Sequence, residues 1–574
     1  MFRSFEDHLI RKQVSLCGIW DLQINDRNLK CSVPSCWESI PGLEDFRGVG
    51  TYTKTIRLES AARVRFVFRG VSFLARVYFD EKLIASHEDA YTEFVSDAII
   101  AEEGTHSLKV VVDNRFSEDS TLHVPNDYMS YGGITRACFM EKLPCASIET
   151  VHVRTHRKGG AWEIAASVVI RNHLQTDIGI GFRLAVLDHE IRAEDVCLRP
   201  GENNLDFTLP VPNAEDWLPD SPKLYLLTTE LIYGGQKTDD LIERIGFKEV
   251  KAEDGRIRIN GKPIRIIGVN RHEEYGGFGC AVPEQGAMHD LLLMKDLHIN
   301  AVRTCHYPND PLFLDLCDEL GFVVWEEGHA RGLSLKQMLK PNFERQSAAS
   351  VSEMIQQHFN HPSILFWGIL NECSCDTEEG YECYACLFRL IRSLDDSRIC
   401  VSASCQRGAS WGLSPSLVCS EKGDLCHKLE DAVCHNIYPG WYIDIPTGQM
   451  VDELYRAVQD HGGRGKPFII SEIGAGAIYG YHDPGLAKWS EESQAAMLKE
   501  QLTALLSNEH LAGFFLWQFA DVRVTSEGGW YLRRPKNMNN KGLVDQYRRP
   551  KMAYNTVKEL LSDLDCYQKS TRHN

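Results

Sequence analysis

The spacing of hydrophobic and polar residues changes near residue 250. Before this point, short segments in which apolar and polar residues alternate, for example 63–68 and 107–112, are separated by Gly, Asp and Asn. This pattern is typical of antiparallel β-sandwiches whose strands bury one face. We therefore predict two sandwiches, one over residues 1–145 and the other over residues 146–249.

After residue 250 the chain alternates between short apolar runs and longer amphipathic segments. The amphipathic segments, for example 288–298, 311–320 and 491–506, have the spacing of helices. Eight apolar runs, several of them separated by such segments, predict a (β/α)8 TIM barrel over 250–574, and so a multidomain fold with β and α/β parts. The predicted barrel strands are 263–270, 301–305, 322–327, 364–372, 399–404, 432–438, 467–473 and 512–518.

Two of these apolar runs carry a glutamate at the carboxyl end, Glu372 in the fourth and Glu472 in the seventh. Side chains at the carboxyl ends of barrel strands line the active site of this fold. A single acidic residue there is often only the N-cap or the acidic first turn of the next helix. Two of them, with Asn371 before the first and Gly474 after the second, favour paired carboxylates that perform acid–base or covalent chemistry.

The charge and hydropathy of the chain exclude several classes of partner. The 574 residues include 62 basic and 80 acidic side chains, a net charge of −18, which would repel the phosphate backbone of a nucleic acid. The first residues lack the apolar core of a signal peptide, and no run approaches the roughly 18 apolar residues of a membrane span. We therefore expect a cytoplasmic protein with no nucleic-acid or membrane partner.

The 19 cysteines are spaced irregularly, which is typical of free thiols in a reducing compartment rather than of a disulfide framework. Cys373, Cys375, Cys383 and Cys386 form a C-x-C followed by a C-x-x-C. Structural zinc sites more often pair two C-x-x-C motifs, and the stretch 381–394 has the pattern of an amphipathic helix. We therefore predict packing roles for these thiols and no metal site.

Three long motifs of the barrel region resemble glycoside hydrolase family 2. Residues 360–372, which read NHPSILFWGILNE, are similar to the acid/base signature of that family. Residues 300–308 resemble its other signature, and 268–273 resemble its first barrel strand. The segments 132–136 and 217–225 are similar to its two sandwich domains, so the resemblance covers nearly the whole chain.

The resemblance implies both a domain order and a reaction. The sandwich at 1–145 would be a jelly roll, the sandwich at 146–249 would be immunoglobulin-like, and the barrel at 250–574 would be catalytic. The enzyme would be a retaining exo-glycosidase in which Glu372 is the acid/base and Glu472 the nucleophile, with no cofactor required for catalysis. Some relatives hold a flavin at a non-catalytic site, and no sequence feature indicates such a site here.

Within the family, residues 534–542 resemble the Asn-x-Lys-Gly element of the β-glucuronidase subgroup. In that element the amide and ammonium groups bind the C6 carboxylate of the sugar, so the resemblance assigns this role to Asn539 and Lys541. A carboxylate in a partly desolvated pocket needs such a charge-assisted partner. The segment lies beyond the predicted eighth strand, where a loop faces the pocket.

The same resemblance implies further residues of the pocket. Asp127 matches an aspartate that reaches from the jelly roll to the sugar hydroxyls. His306 matches a pocket histidine, although a histidine satisfied within the barrel core would fit equally well. Arg534 is expected to support the carboxylate site. The remaining implied substrate contacts are Asn371, Tyr438, Tyr442 and Trp517.

The predicted function is that of a retaining exo-β-glucuronidase, a homo-oligomer that acts on small-molecule or oligosaccharide β-glucuronides. The segment 328–359 leaves little room for the active-site loop that many gut bacterial members of the subgroup carry. A β-galacturonidase and a β-galactosidase are alternatives within the family, and Asn539 and Lys541 argue against a neutral sugar. The alternative from another class is a carbohydrate-binding protein without catalysis, and the presence of both glutamates argues against it.

Overall fold

The computed structural model describes residues 3–527, 529 and 533–571, with side chains as far as 562. Two β-sandwiches precede a (β/α)8 barrel, so the predicted fold class is confirmed. The first sandwich is a jelly roll that packs a five-stranded sheet against a six-stranded sheet around an apolar core. The first of these sheets contains Lys12–Ser15, Cys138–Leu143, Ala62–Phe68, Phe94–Val95 and Ile99–Ala101, and the second contains Arg27–Val33, Gly18–Ile24, Val49–Leu58, Gly104–Asp113, Leu74–Phe79 and Lys82–His87.

The second sandwich is immunoglobulin-like and packs a three-stranded sheet against a four-stranded sheet. Its long strands alternate between buried and exposed positions, because one face of each sheet meets the core and the other meets water. The smaller sheet contains Ala146–Lys158, Ala161–Asn172 and Gly201–Pro210, and the larger contains His189–Leu198, Ile178–Val186, Tyr225–Tyr233 and Gln236–Ile245.

The barrel is formed by eight parallel strands in a single sheet. Its first and last members in the pairing order, strands 5 and 6, meet only through the isolated bridge between Ser404 and His435. A small sheet of Val250–Glu253, Arg256–Ile259 and Lys262–Ile264 covers the amino ends of the strands, and its apolar side chains continue the core of the barrel interior. Strands 1 to 8 are Ile266–Asn270, Ala301–Thr304, Val323–Glu327, Ile364–Asn371, Ile399–Ala403, Val433–Asn436, Phe468–Ile473 and Leu511–Leu516.

Helices surround the barrel except between strands 5 and 6, where residues 404–432 contain three short 3₁₀ turns and no α-helix. The helix predicted over 288–298 begins four residues earlier, at Glu284, directly after Pro283. The α-helices are Glu284–Asp296, Pro311–Leu320, Leu335–Met338, Phe343–His358, Glu378–Leu394, Thr447–Val458, Glu491–Ser507 and Met552–Thr571.

Helix Pro311–Leu320 shows how local sequence sets these bounds. The Asp310 side chain accepts a hydrogen bond of 2.9 Å from the backbone N–H of Leu312, and Pro311 occupies the first helical position. Gly321 ends the helix in the left-handed conformation, with φ of 69°. A Cβ at Gly321 would lie 2.0 Å from the carbonyl oxygen of Pro219, so glycine also permits the helix to dock against the second sandwich.

The first sandwich is fixed to the barrel by a buried ion pair. The Arg136 guanidinium donates to the Glu273 carboxylate at 2.6 Å and to the carbonyl oxygen of Pro308 at 2.7 Å.

Strand ends lie next to the predicted limits of each unit, and we propose the domains 1–145, 146–249 and 250–574 on that basis. Among the described residues, no helix is long and apolar enough to cross a membrane.

Candidate active site

Glu472 lies in barrel strand 7, Phe468–Ile473, whose residues are all buried. Its carboxylate accepts a hydrogen bond of 2.6 Å from the Tyr438 hydroxyl and one of 3.1 Å from Arg303 Nη1. An unbroken apolar run forms a strand that is buried on both faces, so its polar residue at the carboxyl end faces the mouth of the barrel.

Glu372 follows barrel strand 4, Ile364–Asn371, and its backbone turns into the left-handed region with φ of 51°. Asn436 Nδ2 donates to one carboxylate oxygen of Glu372 at 3.0 Å, and Arg331 Nη2 lies 3.4 Å from the other. The Glu372 side chain is 21% exposed, whereas that of Glu472 is 4% exposed. The two carboxylates therefore differ in access to water as well as in their partners.

The environment of Glu472 disfavours two ionised carboxylates in this pocket. Burial, and then the negative charge of Glu372, raise the pKa of Glu472 to about 7, while Arg303 and Tyr438 act in the opposite direction. Burial is the larger of the two raising causes, so Arg303 and Tyr438 are the groups that stabilise the ionised form of Glu472.

Arg303 joins the strand-end residues into one network. It donates to both oxygens of Glu327, at 2.9 and 3.0 Å, to Asn270 Oδ1 at 3.0 Å and to Asn371 Oδ1 at 2.8 Å. His306 Nδ1 lies 2.9 Å from Glu327 Oε1, the oxygen that also accepts from Arg303 Nη2. Burial, followed by the charge of Arg303, holds the pKa of His306 well below its usual value, so this imidazole is neutral.

Asn371 has one amide N–H pair available in the pocket. Its Oδ1 accepts from both Arg303 Nη2, at 2.8 Å, and Asn436 Nδ2, at 3.1 Å, which fixes the orientation of the amide. The buried Nδ2 has no hydrogen-bond partner among the described residues. An unpaired buried donor is costly, so a ligand oxygen at this point would stabilise the site.

Lys541 is buried among aromatic rings on the opposite side of the pocket. Its Nζ donates to the Tyr442 hydroxyl at 2.7 Å and lies 5.0 Å from the ring centre of Tyr438 and 5.7 Å from that of Trp441. Burial, and then the charge of Arg534, lower the pKa of Lys541 well below its usual value. No described carboxylate lies within ion-pair distance of Nζ, so an anionic ligand would supply the missing counter-charge.

Asp127 reaches the same place from the first sandwich. Arg534 Nη2 donates to its carboxylate at 2.9 Å, Asn539 Nδ2 donates at 3.2 Å, and Arg331 Nη2 lies 3.4 Å away. Burial opposes ionisation, but the positive charges of Arg331, Arg534 and Lys541 hold the pKa of Asp127 below its usual value. Asp127 is therefore an ionised acceptor beside Lys541.

Trp517 forms an aromatic wall at the end of barrel strand 8. Its ring stacks on His306 with centres 5.3 Å apart and planes inclined by 20°, and it meets the edge of His272 at 5.6 Å. All three side chains are buried. A flat apolar surface beside polar groups is typical of a sugar-binding pocket.

The structure brings all the predicted site residues into one connected group. Four further members of the group, which the sequence did not identify, are Arg303, Arg331, Glu327 and Asn436. Arg303 lies inside the motif 300–308 and Asn436 inside the predicted strand 432–438, while Arg331 follows strand 3 in a segment without any motif. The predicted members are Glu372, Glu472, Asn539, Lys541, Asp127, His306, Asn371, Tyr438, Tyr442, Trp517 and Arg534.

Comparison with known proteins identifies relatives over the whole chain. Residues 250–566 match the family described as glycosyl hydrolases family 2, TIM barrel domain, and residues 146–248 match glycosyl hydrolases family 2. The solved structure of a β-galacturonidase from Eisenbergiella tayi, bound to galacturonate, is 44% identical, with a TM-score of 0.91 over 98% of this chain and 99% of that one. A β-glucuronidase of Bacteroides fragilis is 26% identical over 94% of this chain and 80% of its own length. A β-glucuronidase of Streptococcus agalactiae is 24% identical over 96% of both chains.

Proposed function

The chain belongs to glycosyl hydrolase family 2, and on that premise we propose that it removes terminal β-linked hexuronic acids from glycosides with retention of configuration. It is a glycoside hydrolase, and the two-carboxylate reaction needs no cofactor because side chains supply both the nucleophile and the proton donor. The observation that carries the uronic-acid assignment is Lys541, an ammonium group buried without a carboxylate partner among the described residues.

We assign the chemistry to the paired glutamates. The ionised Glu472 carboxylate attacks the anomeric carbon while protonated Glu372 transfers its proton to the departing glycosidic oxygen. Water then attacks the glycosyl ester, Glu372 takes a proton from that water, and Glu472 is released as the leaving carboxylate. Tyr438 and Arg303 orient Glu472 and stabilise its negative charge. The unused amide N–H of Asn371 is suited to bind the sugar hydroxyl nearest the reacting carbon.

The other side of the pocket fits the acidic end of the sugar. Lys541 and Asn539 lie on one loop; Asn539 donates to one oxygen of Asp127, and Arg331 lies 3.4 Å from the other. The charges of Lys541 and Asp127 also interact. A C6 carboxylate held by Lys541 would replace a missing counter-charge in a desolvated position. Asp127, an acceptor, would then bind the adjacent sugar hydroxyls.

The β-glucuronide and the β-galacturonide differ only in the configuration at C4. The proposed contact of Lys541 is with the C6 carboxylate, so it does not distinguish between them. The sequence predicts the glucuronide, and the curated β-glucuronidases among the relatives favour the same substrate. The solved β-galacturonidase is the more similar protein of those reported above, and it matches along the whole chain. We therefore propose β-D-galacturonides as the preferred substrates and β-D-glucuronides as the second candidate.

A panel of four p-nitrophenyl β-glycosides, the galacturonide, glucuronide, galactoside and glucoside, tests this proposal. We expect kcat/KM to be highest for a uronide and lower by at least roughly 10²-fold for both neutral sugars, because a buried ammonium group would be left unpaired. A galactoside turned over as fast as either uronide would contradict the proposal. If kcat/KM is higher for the glucuronide than for the galacturonide, the proposed preference for the C4 configuration is reversed, and the preference for uronides still holds.

Replacing Lys541 with methionine tests the site itself. The change keeps the aliphatic stem and removes the charge, so kcat/KM for the uronides should fall by roughly 10- to more than 100-fold, as expected for the loss of a charge-assisted hydrogen bond. The slow hydrolysis of the neutral glycosides should change little, because they present no carboxylate. Asn539→Ala should act in the same direction with a smaller effect.

The exposed Lys536 lies on the same segment and provides the control, since Lys536→Met makes the same chemical change outside the pocket. We expect that variant to keep the activity of the unaltered enzyme on every substrate. Equal losses on uronides and neutral glycosides in Lys541→Met would mean that the loop has a structural role and that uronic-acid specificity lies elsewhere.

A further inference from the structure

The connection between barrel strands 5 and 6 contains a group of buried metal-ligand side chains. Asp424 and His427 lie on the helix-free segment 404–432, and His435 lies on strand 6. All three are at most 3% exposed. The rest of this long connection has only short 3₁₀ turns to hold it against the barrel, and a long irregular segment in a compact domain usually has a specific reason for its order.

The ligand atoms of this group are close enough to share one ion. His427 Nε2 lies 2.9 Å from His435 Nε2 and 3.7 Å from Asp424 Oδ2, and all three atoms fall within 4.8 Å of one another. Ligands at the usual zinc distance of about 2.0–2.1 Å in a tetrahedron are separated by roughly 3.3 Å. Small adjustments of the side chains would therefore place all three around one ion.

The buried carboxyl groups around these three residues also lack a cationic side-chain partner among the described residues. Asp424 makes no ion pair with lysine or arginine among the described residues, and Glu430, a second buried carboxyl nearby, has an unpaired oxygen. The one ammonium group beside them, that of Lys466, donates to the carbonyl oxygens of His427 and Glu430 rather than to a carboxylate.

Two other sets of three possible ligand residues in the described part of the chain have similar spacing, but their side chains already contact other residues. His272, Cys305 and His306 lie at the active site, where His306 contacts Glu327. In the group of Asp315, Asp318 and His361, Asp315 pairs with two arginines. Asp318 accepts from a backbone N–H and contacts His361 Nδ1 at 2.6 Å. The four thiols Cys373, Cys375, Cys383 and Cys386 belong to none of these groups.

We propose that Asp424, His427 and His435 bind one structural zinc ion that fastens the 404–432 connection to the barrel. Two imidazole nitrogens and a carboxylate oxygen are ligands that zinc accepts, and all three side chains are buried. The ion would act where the barrel is least well closed, because His435 also makes the only bridge between strands 5 and 6.

The proposed zinc site would also help to position residues of the candidate active site, because the two share strand 6. Asn436, the neighbour of His435 along strand 6, donates to Glu372, and Arg407 of the same connection donates to the Asn436 carbonyl oxygen at 2.6 Å. The proposed zinc is therefore a positioning element that makes no contact with the substrate, and the proposal is independent of which sugar is hydrolysed.

Metal analysis of the purified full-length protein tests the proposal. After removal of loosely bound ions, mass spectrometry of the metals should find about one zinc per chain in the unaltered protein and none in His427→Gln or Asp424→Asn. Removing zinc with a chelator and restoring it should lower and then raise Tm by on the order of 5 °C. Neither change should occur in the two variants.

His461→Gln is the matched control, because His461 stacks on Trp411 in the same region at 5.0 Å but is no member of the group. It should keep its zinc, and so should His306→Gln of the active-site group. If the two ligand variants do not fold, calorimetric titration of the chelated unaltered protein with zinc decides the matter. Failure of that protein to bind zinc, or loss of zinc in His306→Gln with retention in Asp424→Asn, would overturn the proposal.

Discussion

Glu472→Gln is expected to leave the protein folded and to lower kcat on every glycoside by at least roughly 10⁴-fold, as found when a covalent nucleophile is removed. The neutral amide has nearly the shape of the carboxylate; its one oxygen can keep the hydrogen bond from Arg303, while its NH2 group can donate to the Tyr438 hydroxyl oxygen. It cannot form the glycosyl ester, so the first step of the double displacement is lost. No other described carboxylate receives this pair of hydrogen bonds.

A 2-fluoro uronide with a good leaving group identifies the nucleophile directly, because it forms the ester faster than water removes it. Mass spectrometry of the labelled peptides should find the sugar on Glu472 in the unaltered enzyme and no label in Glu472→Gln. Glu492→Gln, a change in the first turn of helix Glu491–Ser507, is the control and should keep both labelling and activity. Label on another carboxylate would contradict the assignment.

The barrel was predictable because a buried parallel strand has a simple sequence pattern. A run such as 364–372 is apolar at nearly every position, and burial on both faces is the physical reason. The predicted first strand, 263–270, was too long at its start, because Lys262–Ile264 pairs within the small covering sheet instead. Pairing between distant strands decides this boundary, and a local pattern contains no information about it.

The candidate site was predictable only where its residues lie at strand ends or in long motifs. Glu372 and Glu472 end apolar runs, and this position alone indicates the mouth of the barrel. Arg331 contacts both Asp127 and Glu372, yet it lies in an irregular segment with no motif. Its role depends on the first sandwich docking against the barrel, which brings Asp127 to within 3.4 Å of it across the domain boundary.

The connection between strands 5 and 6 is a second feature that local sequence patterns could not predict. A (β/α)8 barrel ordinarily has a helix at this place, and the structure contains only 3₁₀ turns. His435 lies within a predicted strand, but Asp424 and His427 are irregularly spaced from it, so no metal-ligand motif is visible in the sequence. The three side chains meet only because the connection folds back over strand 6.

The two sides of the pocket come from different parts of the chain. The barrel supplies Glu372 and Glu472, and the first sandwich supplies Asp127, whose partner Arg534 is 407 positions away in sequence. Lys541 and Asn539 lie on a loop after strand 8, and Asn539 donates to Asp127. Under the proposed function, recognition of the sugar would therefore involve both the sandwich and the barrel, whereas both reacting carboxylates would come from the barrel.

Removing the proton donor should have a different signature from removing the nucleophile. In Glu372→Gln, kcat/KM should fall by roughly 10²–10⁴-fold for glycosides with poor leaving groups, which need general acid help, and far less for activated aryl glycosides, which do not. Methyl and p-nitrophenyl uronides make the comparison. Equal losses for both substrates would argue against a proton-donor role for Glu372.

The pH profile of the same variant tests the coupling between the two carboxylates. Protonated Glu372 is needed for attack on the substrate, so the loss of activity at high pH should disappear in Glu372→Gln. The negative charge of Glu372 is the second cause, after burial, that raises the pKa of Glu472 to about 7. A neutral amide removes that charge, so the pKa of Glu472 should fall and the acidic limb of kcat/KM should move to lower pH, although burial keeps it above the usual value. An acidic limb that stays in place would mean that the charge of Glu372 does not raise the pKa of Glu472, and a basic limb that survives would mean that Glu372 is not the proton donor.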